Sequence, residues 1–306
     1  MTQVLFQLIV SMIMEVSIRL PKFVPHPVEV MGYAIKLLDT TINNGSNRRL
    51  KGVAAVVILI AVTLYCSHII QFQFLEPFIS AFILWIFLCQ NSLIQHVKDV
   101  VDKLSHNNID AARQSISMIV GRDTHEMNQS DISRSAIESL SEGFLDGIIS
   151  PIFWFLIADV YGLMVYKMIN TADSMIGNMS LRHKDFGWCA AHVDDIMNYI
   201  PARISAVIIA IAGGRPIKSM WIALKDAHLQ RSPNAGWPIS AISVPLNIAL
   251  SGIKSYQGTL ANDPVINRLC TPQANTSHII HAISIINRSW YMIMFIAVLS
   301  LTLQII

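Results

Sequence analysis

The stretch "GVAAVVILIAVTLYCSHIIQFQFL", residues 52–75, decides the fold class, because it contains no charged side chain other than the possible charge on His68. An apolar helix of about 20 residues crosses about 30 Å of hydrocarbon. Two other stretches resemble this one: residues 77–97, whose one possible charge is on a histidine, and residues 289–306, which are uncharged. We therefore predict an all-α, polytopic membrane protein with an N-terminal transmembrane hairpin over 52–97 and a C-terminal transmembrane helix.

The composition agrees with this class. The 306 residues are 53% hydrophobic and 14% charged, whereas soluble domains contain about 25% charged residues. A net charge of +2 without an Arg/Lys block argues against a nucleic-acid partner. The apolar spans make membrane lipid an expected partner. The four cysteines form no C-x-x-C pair, so we expect no disulfide framework and no structural metal. The first twenty residues lack a basic n-region, which predicts a retained apolar or interfacial helix.

Basic residues orient the hairpin. They precede the first span at Arg19, Lys22, Lys36, Arg48, Arg49 and Lys51, and they follow the second span at Lys98, Lys103, Arg113 and Arg122. The turn between the spans has only Glu76. Positive flanks remain in the cytoplasm. Both ends of the hairpin are therefore predicted to be cytoplasmic, in an inner membrane.

The region between the hairpin and the C-terminal helix, residues 98–288, has shorter apolar runs. A run of twelve uncharged residues precedes Asp159, and a helix of that length is only about 18 Å long. Pro151 and Asp159 interrupt a longer helix, and residues 232–253 contain several prolines and glycines. Broken helices are tolerated at membrane depth only where protein or a cavity surrounds them. We predict one embedded catalytic body of short or re-entrant helices, with a full crossing by residues 148–166 as the alternative.

The helix that enters this body has a charge at every fourth position. In "RSAIESLSEGFLDGIISPIFWF", residues 134–155, Arg134 is followed by Glu138, Glu142 and Asp146. Helical spacing places these charges opposite an apolar stripe, which consists of Ile132, Ala136, Leu140 and Phe144. One interpretation is a solvated face with ion pairs between residues four apart. The excess of acids beside an apolar segment favours a site for a metal ion or a cationic ligand.

Four further polar motifs occur in a chain that has few polar residues. They are "GRDTHEM" (121–127), "NTADSMIGN" (170–178), "DFGWCAAHVDDIMNYIPARI" (185–204) and "RSPNAGWP" (231–238). Capping or turn roles explain each motif alone, and we expect a helix to end at Pro201. Polar groups at membrane level are costly, so together these motifs are candidates for a functional site. The absence of G-x-x-x-x-G-K-[ST], H-E-x-x-H and G-x-S-x-G motifs argues against hydrolases of those types.

Six ordered motifs resemble the CobD/CbiB family of cobalamin biosynthesis. They are "PHPVEVMG" (25–32), "GRDT" (121–124), "AIESLSEGFLDGIISPIFW" (136–154), "NTADSMIG" (170–177), "DFGW…DDIMNYIPAR" (185–203) and "SPNAGWP" (232–238). The resemblance implies a membrane-bound adenosylcobinamide-phosphate synthase. Such a ligase joins a propionate carboxylate of adenosylcobyric acid to (R)-1-aminopropan-2-ol phosphate, with Mg-ATP as the energy source. Other membrane proteins of the corrinoid pathway, or a second copy of the chain, are expected partners.

Clustering and resemblance together give three sets of candidate residues. Catalytic candidates are Glu138, Glu142, Asp146, Asp173, Asp194 and Asp195. Substrate-binding candidates are His26, Arg122, Asp123, Thr124, Asn170, Arg203, Ser232, Asn234 and Trp237. Candidate Mg²⁺ ligands are Glu142, Asp146 and Asp173.

The candidate residues have expected roles in amide synthesis. We expect Arg122 and Arg203 to clamp the phosphate of the amine substrate with bidentate hydrogen bonds. Asp194 or Asp195 is expected to hold or deprotonate its ammonium group. Trp237 is expected to pack against the corrinoid.

The chain departs from the family pattern at three places. It reads "SIRLPKFVPHP" where the family usually has an acidic G-D-P segment, Glu142-Gly143 where the family has Glu-Asn, and Pro238-Ile239 where it has Pro-Glu. These departures make a non-catalytic sensor or assembly protein of the same fold the alternative. A small transporter is a third hypothesis, which broken helices and embedded acids suit, but the sequence has no inverted repeat of spans.

Overall fold

The computed structural model describes residues 1–18, 26–73, 78–256 and 258–305. The first eight α-helices are α1 (Thr2–Ser17), α2 (Pro27–Ile42), α3 (Arg48–Gln73), α4 (Phe78–Phe87), α5 (Gln90–Ser105), α6 (Ile109–Ser117), α7 (Gln129–Phe144) and α8 (Ser150–Ile176). They are followed by α9 (Trp188–Ala212), α10 (Pro216–Asp226), α11 (Gly236–Leu246), β1 (Leu250–Tyr256), β2 (Thr259–Ile266) and α12 (Thr276–Ile305). A π-helix, Leu145–Ile149, joins α7 to α8, and a short 3₁₀-helix, Ala227–Leu229, follows α10.

Within the part of the chain that the structure describes, five helical segments are long and apolar enough to cross a membrane. They are Arg48–Gln71, Phe78–Ser105, Gln129–Ile176, Trp188–Ala212 and Thr276–Ile305. The predicted polytopic, all-α membrane class is therefore confirmed. The predicted hairpin corresponds to the first two segments, and the turn with Glu76 lies outside the described residues.

The C-terminal helix is longer than predicted. It begins at Thr276 rather than at residue 289, because Ile279, Ile283 and Ile286 continue an apolar stripe at helical spacing and are buried. The earlier turns of α12 therefore belong to the same helix as the uncharged end of the chain.

The central region contains two apolar helical segments, Gln129–Ile176 and Trp188–Ala212. Both are longer than the short or re-entrant helices predicted there. The prediction that a helix ends at Pro201 is wrong, since α9 continues through this residue to Ala212. A proline removes one backbone donor, and neighbouring groups compensate for this in membrane helices. The predicted interruption at Asp159 is present: Ala158 and Asp159 have non-helical backbone angles, and the Asp159 carboxylate accepts a hydrogen bond from the Val160 N–H at 2.7 Å.

The β-hairpin was not predicted from the sequence. Its strands pair antiparallel, with Leu250 opposite Ile266 and Lys254 opposite Ala261. The register is irregular between Ser251 and Ile253, where Ser251 and Gly252 both have positive φ, 66° and 95°. A bulge of this kind re-aims the side chains and N–H groups next to it.

The chain divides into two compact units. The first unit consists of Met1–Cys89, Ser150–Asn198 and Ala297–Ile306, and the second consists of Gln90–Ile149 and Tyr199–Ile296. In the first unit, α8 packs against α1, α2, α3 and α4, and α1 packs against α4. Met12, Ile35 and Phe155 are fully buried there.

The second unit is built around α7, which packs against α5, α6, α11 and β1. Asn128 and Asp131 begin α7 with a reciprocal capping box, which satisfies N–H groups that otherwise lack partners. The predicted apolar stripe is confirmed, since Ile132, Ala136, Leu140 and Phe144 all have 0% exposure. α7 therefore holds its polar side chains at fixed positions within the second unit.

Candidate functional site

Glu138 lies in a fully paired, buried position in the second unit. The side chain is 1% exposed, and its carboxylate accepts hydrogen bonds from Arg122 Nη2 at 2.8 Å and from the Ser251 N–H at 2.7 Å. Lys254 Nζ lies 3.2 Å from the same carboxylate. Arg134 pairs with Asp131 at 2.6 Å rather than with Glu138. The interpretation of this face of α7 as a solvated surface is therefore wrong at Glu138.

Alternating charges continue beyond Glu138. Lys254 Nζ lies 3.8 Å from Asp263, and Arg231 Nε donates to Asp263 Oδ1 at 2.8 Å. We call the series Arg122, Glu138, Lys254, Asp263 and Arg231 the charged chain. Burying ions costs several kcal/mol each unless they are paired and hydrogen-bonded. Glu138, Lys254 and Asp263 are buried and paired as this requires, whereas Arg231 is exposed at the end of the series.

Arg122 remains charged within this series. Burial alone would lower the pKa of its guanidinium, but the charge and hydrogen bond of Glu138 outweigh burial and raise the pKa above its ordinary value. An arginine with an ordinary pKa is already protonated at neutral pH. Arg122 is therefore a permanent cation, suited to binding an anionic group.

The hairpin is positioned by two local features. The bulge directs the Ser251 N–H toward Glu138, which lies near the middle of α7. Asp123 anchors the other end of β1: its N–H donates to Ser255 O at 2.9 Å, and its carboxylate accepts from Ser255 Oγ at 2.6 Å and from the Gly258 N–H at 2.8 Å. Asp123, predicted to bind substrate, thus holds the strand that contains Lys254.

An open groove of about 1150 Å³ lies along the hairpin. Its walls include Arg122, Arg134, Glu138, Ser251 and Lys254. Arg134 Nε and Ser251 Oγ are buried and have no hydrogen-bond partner among the described residues. These two atoms are therefore available to form hydrogen bonds with a ligand bound in the groove.

A smaller cavity of about 240 Å³ adjoins the other side of Arg122 and Lys254. Its walls are formed by Ile119, Val120, Gly121, Arg122, Ser139, Glu142, Gln230, Arg231, Ser232, Ala235, Lys254, Tyr256 and Asp263. Gln230 Nε2 is buried without a partner among the described residues. The small cavity thus combines three cations, two carboxylates and an unused amide donor.

Arg203 has partners of its own in the second unit. Its guanidinium lies 3.5 Å from the ring centroid of Tyr199 and 4.5 Å from that of Trp237. Nη1 donates to Tyr199 O at 2.6 Å and lies 3.5 Å from Asn234 Oδ1. Arg203, Asn234 and Trp237 are therefore brought together, with the arginine stacked on the indole that was expected to meet the corrinoid.

Ser232 joins this region to the small cavity. Its Oγ accepts hydrogen bonds from the N–H groups of Asn234 and Ala235 at 3.2 and 3.4 Å. The turn role that explains "RSPNAGWP" without a ligand is therefore present. Ser232 also lies on the wall of the small cavity.

A second polar cluster lies in the first unit. Asn198 donates to Asp194 at 3.0 Å and accepts from Ser150 at 2.5 Å, and Asn170 donates to Asp194 at 3.3 Å. These bonds join α8 to α9 through buried side chains. Asp173 is also in this unit, under the electrostatic influence of Asp194 and Asp195. The predicted acids therefore fall into two groups, one in each unit.

The remaining predicted residues have structural partners or are buried. In the first unit, His26 caps α2: its Nδ1 accepts from the Val28 N–H at 3.2 Å, and its Nε2 lies 2.9 Å from Ile86 O. Thr124 is buried beside the motif that contains Arg122. Asp146 lies in the π-helix that follows α7, partly exposed.

The predicted Mg²⁺ ligands do not form a recognisable metal site. Glu142 and Asp146 belong to the second unit and Asp173 to the first. Across residues 1–18, 26–73, 78–256 and 258–305, no group of three or more His, Cys, Asp or Glu side chains is arranged to hold a metal ion. The magnesium ligand set stays a prediction.

Sequence reasoning missed Lys254, Asp263 and Gln230, and it mentioned Arg231 only as part of a turn. Lys254 and Asp263 lie on the two strands of the unpredicted hairpin. A single lysine in the otherwise uncharged "LSGIKSY" (250–256) was the available signal, since an isolated charge in a membrane protein is a candidate for function.

Two of the departures from the family pattern are accommodated by packing. A Cβ at Gly143 would lie 2.6 Å from Leu93 Cδ1, so a leucine occupies the space that a side chain would need. Ile239 is fully buried in α11, where an unpaired glutamate would be costly. The remaining departure, "SIRLPKFVPHP", includes residues 19–25, which lie outside the described residues.

Introducing an asparagine at Gly143 is expected to destabilise the protein by about 1 kcal/mol, because its Cβ requires the partly exposed side chain of Leu93 to shift. The Gly143→Asn variant should therefore unfold at a lower temperature in detergent, and adding Leu93→Ala should recover part of the loss. Gly121→Asn is the control, because a Cβ there meets no atom within 4 Å. Equal midpoints for Gly143→Asn and Gly121→Asn would show that Leu93 does not set the residue at 143.

A family model and individual relatives match this chain, and both carry the description CobD. The sequence model of the family described as CobD/Cbib protein matches residues 8–286. The chain is 38% identical over 259 residues to "Cobalamin biosynthesis protein CobD" of Sinorhizobium sp, covering 80% of each chain. Identity to the proteins of the same name is 38% over 251 residues in Rhodobacter capsulatus (80% of each chain) and 38% over 261 residues in Brucella suis (80% of this chain, 79% of the relative). No solved structure gives a significant match.

Proposed function

We infer a specific reaction from the premise that the chain belongs to the CobD/CbiB family of cobalamin biosynthesis proteins. The proposed reaction is amide formation between a propionate carboxylate of adenosylcobyric acid and (R)-1-aminopropan-2-ol phosphate, with Mg-ATP as co-substrate. The product is adenosylcobinamide phosphate. The protein is then an acid–amine ligase of the adenosylcobinamide-phosphate synthase type.

The observation that supports this proposal is the charged chain. Its members alternate in sign, and Glu138, Lys254 and Asp263 are each less than a tenth exposed. Two of its cations, Arg122 and Lys254, lie on the walls of both the groove and the small cavity. A packed core needs no such series, because apolar residues of similar volume stabilise a fold equally well or better. Cations shared by two adjoining cavities suit a reaction between two anionic substrates.

The chemistry proceeds in two steps. A carboxylate oxygen attacks the γ-phosphorus of ATP, the bond to the bridging oxygen breaks, and an acyl phosphate and ADP form. The neutral amine then attacks the acyl carbon, the C–N bond forms, and the C–O bond breaks to release phosphate. The amine must first lose one proton from its ammonium form, and the released phosphate takes the second amine proton.

The second unit has groups suited to both steps. Phosphoryl transfer depends mainly on positioning and on neutralising charge on the phosphoryl oxygens. Arg122 and Lys254, which line the groove, supply cationic donors for this purpose, and arginine matches phosphate with paired hydrogen bonds. The groove is the larger space and suits the propionate arm of the corrinoid. Mg²⁺ enters this scheme with ATP, and no step is assigned to an ion held by side chains.

The site is proposed to face the cytoplasm in the inner membrane. Arg122 and Arg231 lie on connections between helices, and basic connections remain on the cytoplasmic side. Nucleotide and amino-alcohol phosphate are soluble cytoplasmic compounds, whereas lipid surrounds the spans. Corrinoid-pathway membrane proteins or a second copy of the chain are proposed partners.

The purified full-length protein, incubated with adenosylcobyric acid, (R)-1-aminopropan-2-ol phosphate and Mg-ATP, is expected to form adenosylcobinamide phosphate and ADP in equal amounts. Mass spectrometry of the corrinoid and a coupled ADP assay measure both. The control reaction omits ATP and should give no product. A folded protein that gives neither product nor ADP would favour the non-catalytic alternative.

A further inference from the structure

The cations around the small cavity have unused donors. A guanidinium has five N–H donors. Among the described residues, hydrogen bonds account for Nη2 of Arg122 and Nε of Arg231. Gln230 Nε2 is buried on the same wall with no partner among the described residues. The cavity therefore offers several convergent donors for the oxygens of an anion.

The two carboxylates on the wall of the small cavity differ. Asp263 is paired with two cations of the charged chain, Lys254 and Arg231. Glu142 lies one helical turn after Glu138, and its carboxylate forms no hydrogen bond or ion pair with another described residue. A carboxylate in such a position is available to a cationic group of a ligand.

The size of the cavity limits the ligand. Its volume is about 240 Å³, whereas pockets for drug-sized ligands are about 300–1000 Å³. A nucleotide or a corrinoid does not fit into this space. A phosphomonoester with a short amine-bearing chain fits, and it presents an anion and a cation only a few bonds apart.

We propose that the small cavity is the binding site of the amine substrate. Arg122, Arg231 and Gln230 bind its phosphate, and Glu142 binds its primary ammonium and then accepts a proton from it. The proposal rests on the proposed function, because it assigns one of that reaction's two substrates to a place. From the sequence, Asp194 or Asp195 was expected to hold the ammonium; the proposal assigns it to Glu142 instead.

The position of the cavity supports this assignment. Arg122 and Lys254 separate the small cavity from the groove that suits the carboxylate substrate. An amine held at Glu142 therefore lies next to the space where an activated carboxylate would form. Holding two reactants side by side converts a bimolecular reaction into an effectively unimolecular one.

Binding is measured by calorimetry with the full-length protein in detergent, without ATP or corrinoid, so that turnover is not needed. The probes are 1-aminopropan-2-ol phosphate, isopropyl phosphate, which lacks the amine, and 1-aminopropan-2-ol, which lacks the phosphate. Glu142→Gln is expected to weaken binding of the amine phosphate about 10- to 100-fold and to leave isopropyl phosphate unchanged. Arg231→Gln is expected to weaken both phosphates by a similar factor.

Arg268→Gln is the matched control, because Arg268 is exposed, belongs to the second unit and does not line the small cavity. It should bind all probes as the unmodified protein does. If Glu142→Gln keeps the full preference for the amine phosphate, the proposal is overturned even if the protein is a ligase. If the binding pattern appears but no product forms with all substrates, the site assignment stands and the proposed reaction fails.

Discussion

Replacing Glu138 by glutamine is expected to lower the free energy of unfolding by about 3–5 kcal/mol, the effect of removing one partner of a buried ion pair. The change leaves Arg122 and Lys254 in the interior without the carboxylate that both contact. The amide keeps the shape of the side chain, so the loss arises from charge rather than from a cavity. Thermal unfolding in detergent measures the effect as a large drop in midpoint.

Two further variants identify the cause of this loss. Glu126→Gln is the matched control, since Glu126 is exposed in the same unit and has no ion pair among the described residues. Adding Lys254→Met to Glu138→Gln removes one uncompensated cation and should recover part of the stability, as expected for residues that are energetically coupled. A midpoint for Glu138→Gln equal to that of Glu126→Gln would refute the charged chain as a stabilising unit.

Replacing Glu142 by glutamine is expected to reduce turnover about 10²- to 10⁴-fold, the usual contribution of a general base. The fold should be unaffected, because Glu142 has no ion pair or hydrogen bond among the described residues that the change would break. The rate of adenosylcobinamide phosphate formation at saturating substrates measures the loss, and thermal unfolding confirms that the variant is folded. Glu138→Gln is therefore expected to lower stability, whereas Glu142→Gln is expected to lower turnover.

Asp99→Asn is the control for this second prediction. Asp99 is an exposed carboxylate of α5 that accepts a hydrogen bond from Gln95 at 2.9 Å and lines neither cavity. The turnover of the Asp99→Asn variant should equal that of the unmodified protein. A Glu142→Gln variant that keeps half of the normal rate would eliminate Glu142 as the base.

Much of the fold was predictable because length and polarity determine it. An uncharged run such as residues 52–75 has few alternatives to a membrane-spanning helix. The buried stripe of α7 followed from spacing, and the interruption at Asp159 followed from an acid within an apolar run. Pro201 was misjudged, because a proline ends a helix in water more readily than it does inside a membrane protein.

The site was less predictable, because its composition depends on contacts between distant parts of the chain. Glu138, Glu142 and Arg122 were recognised from their motifs. Lys254 and Asp263 were not, since their importance arises only when the hairpin brings them to Glu138 and Arg231. Whether an acid is solvated or buried also depends on what packs over it, and spacing along α7 gave no information about the hairpin that covers Glu138.

We infer that the charged chain of the second unit, not the acid cluster of the first, is the reaction site. An experimental structure of the protein with bound (R)-1-aminopropan-2-ol phosphate tests this most directly. We expect the phosphate to lie within hydrogen-bond distance of Arg122 and Arg231 and the amine to lie beside Glu142. Ligand density beside Asp173 and Asp194, with the small cavity unoccupied, would contradict it.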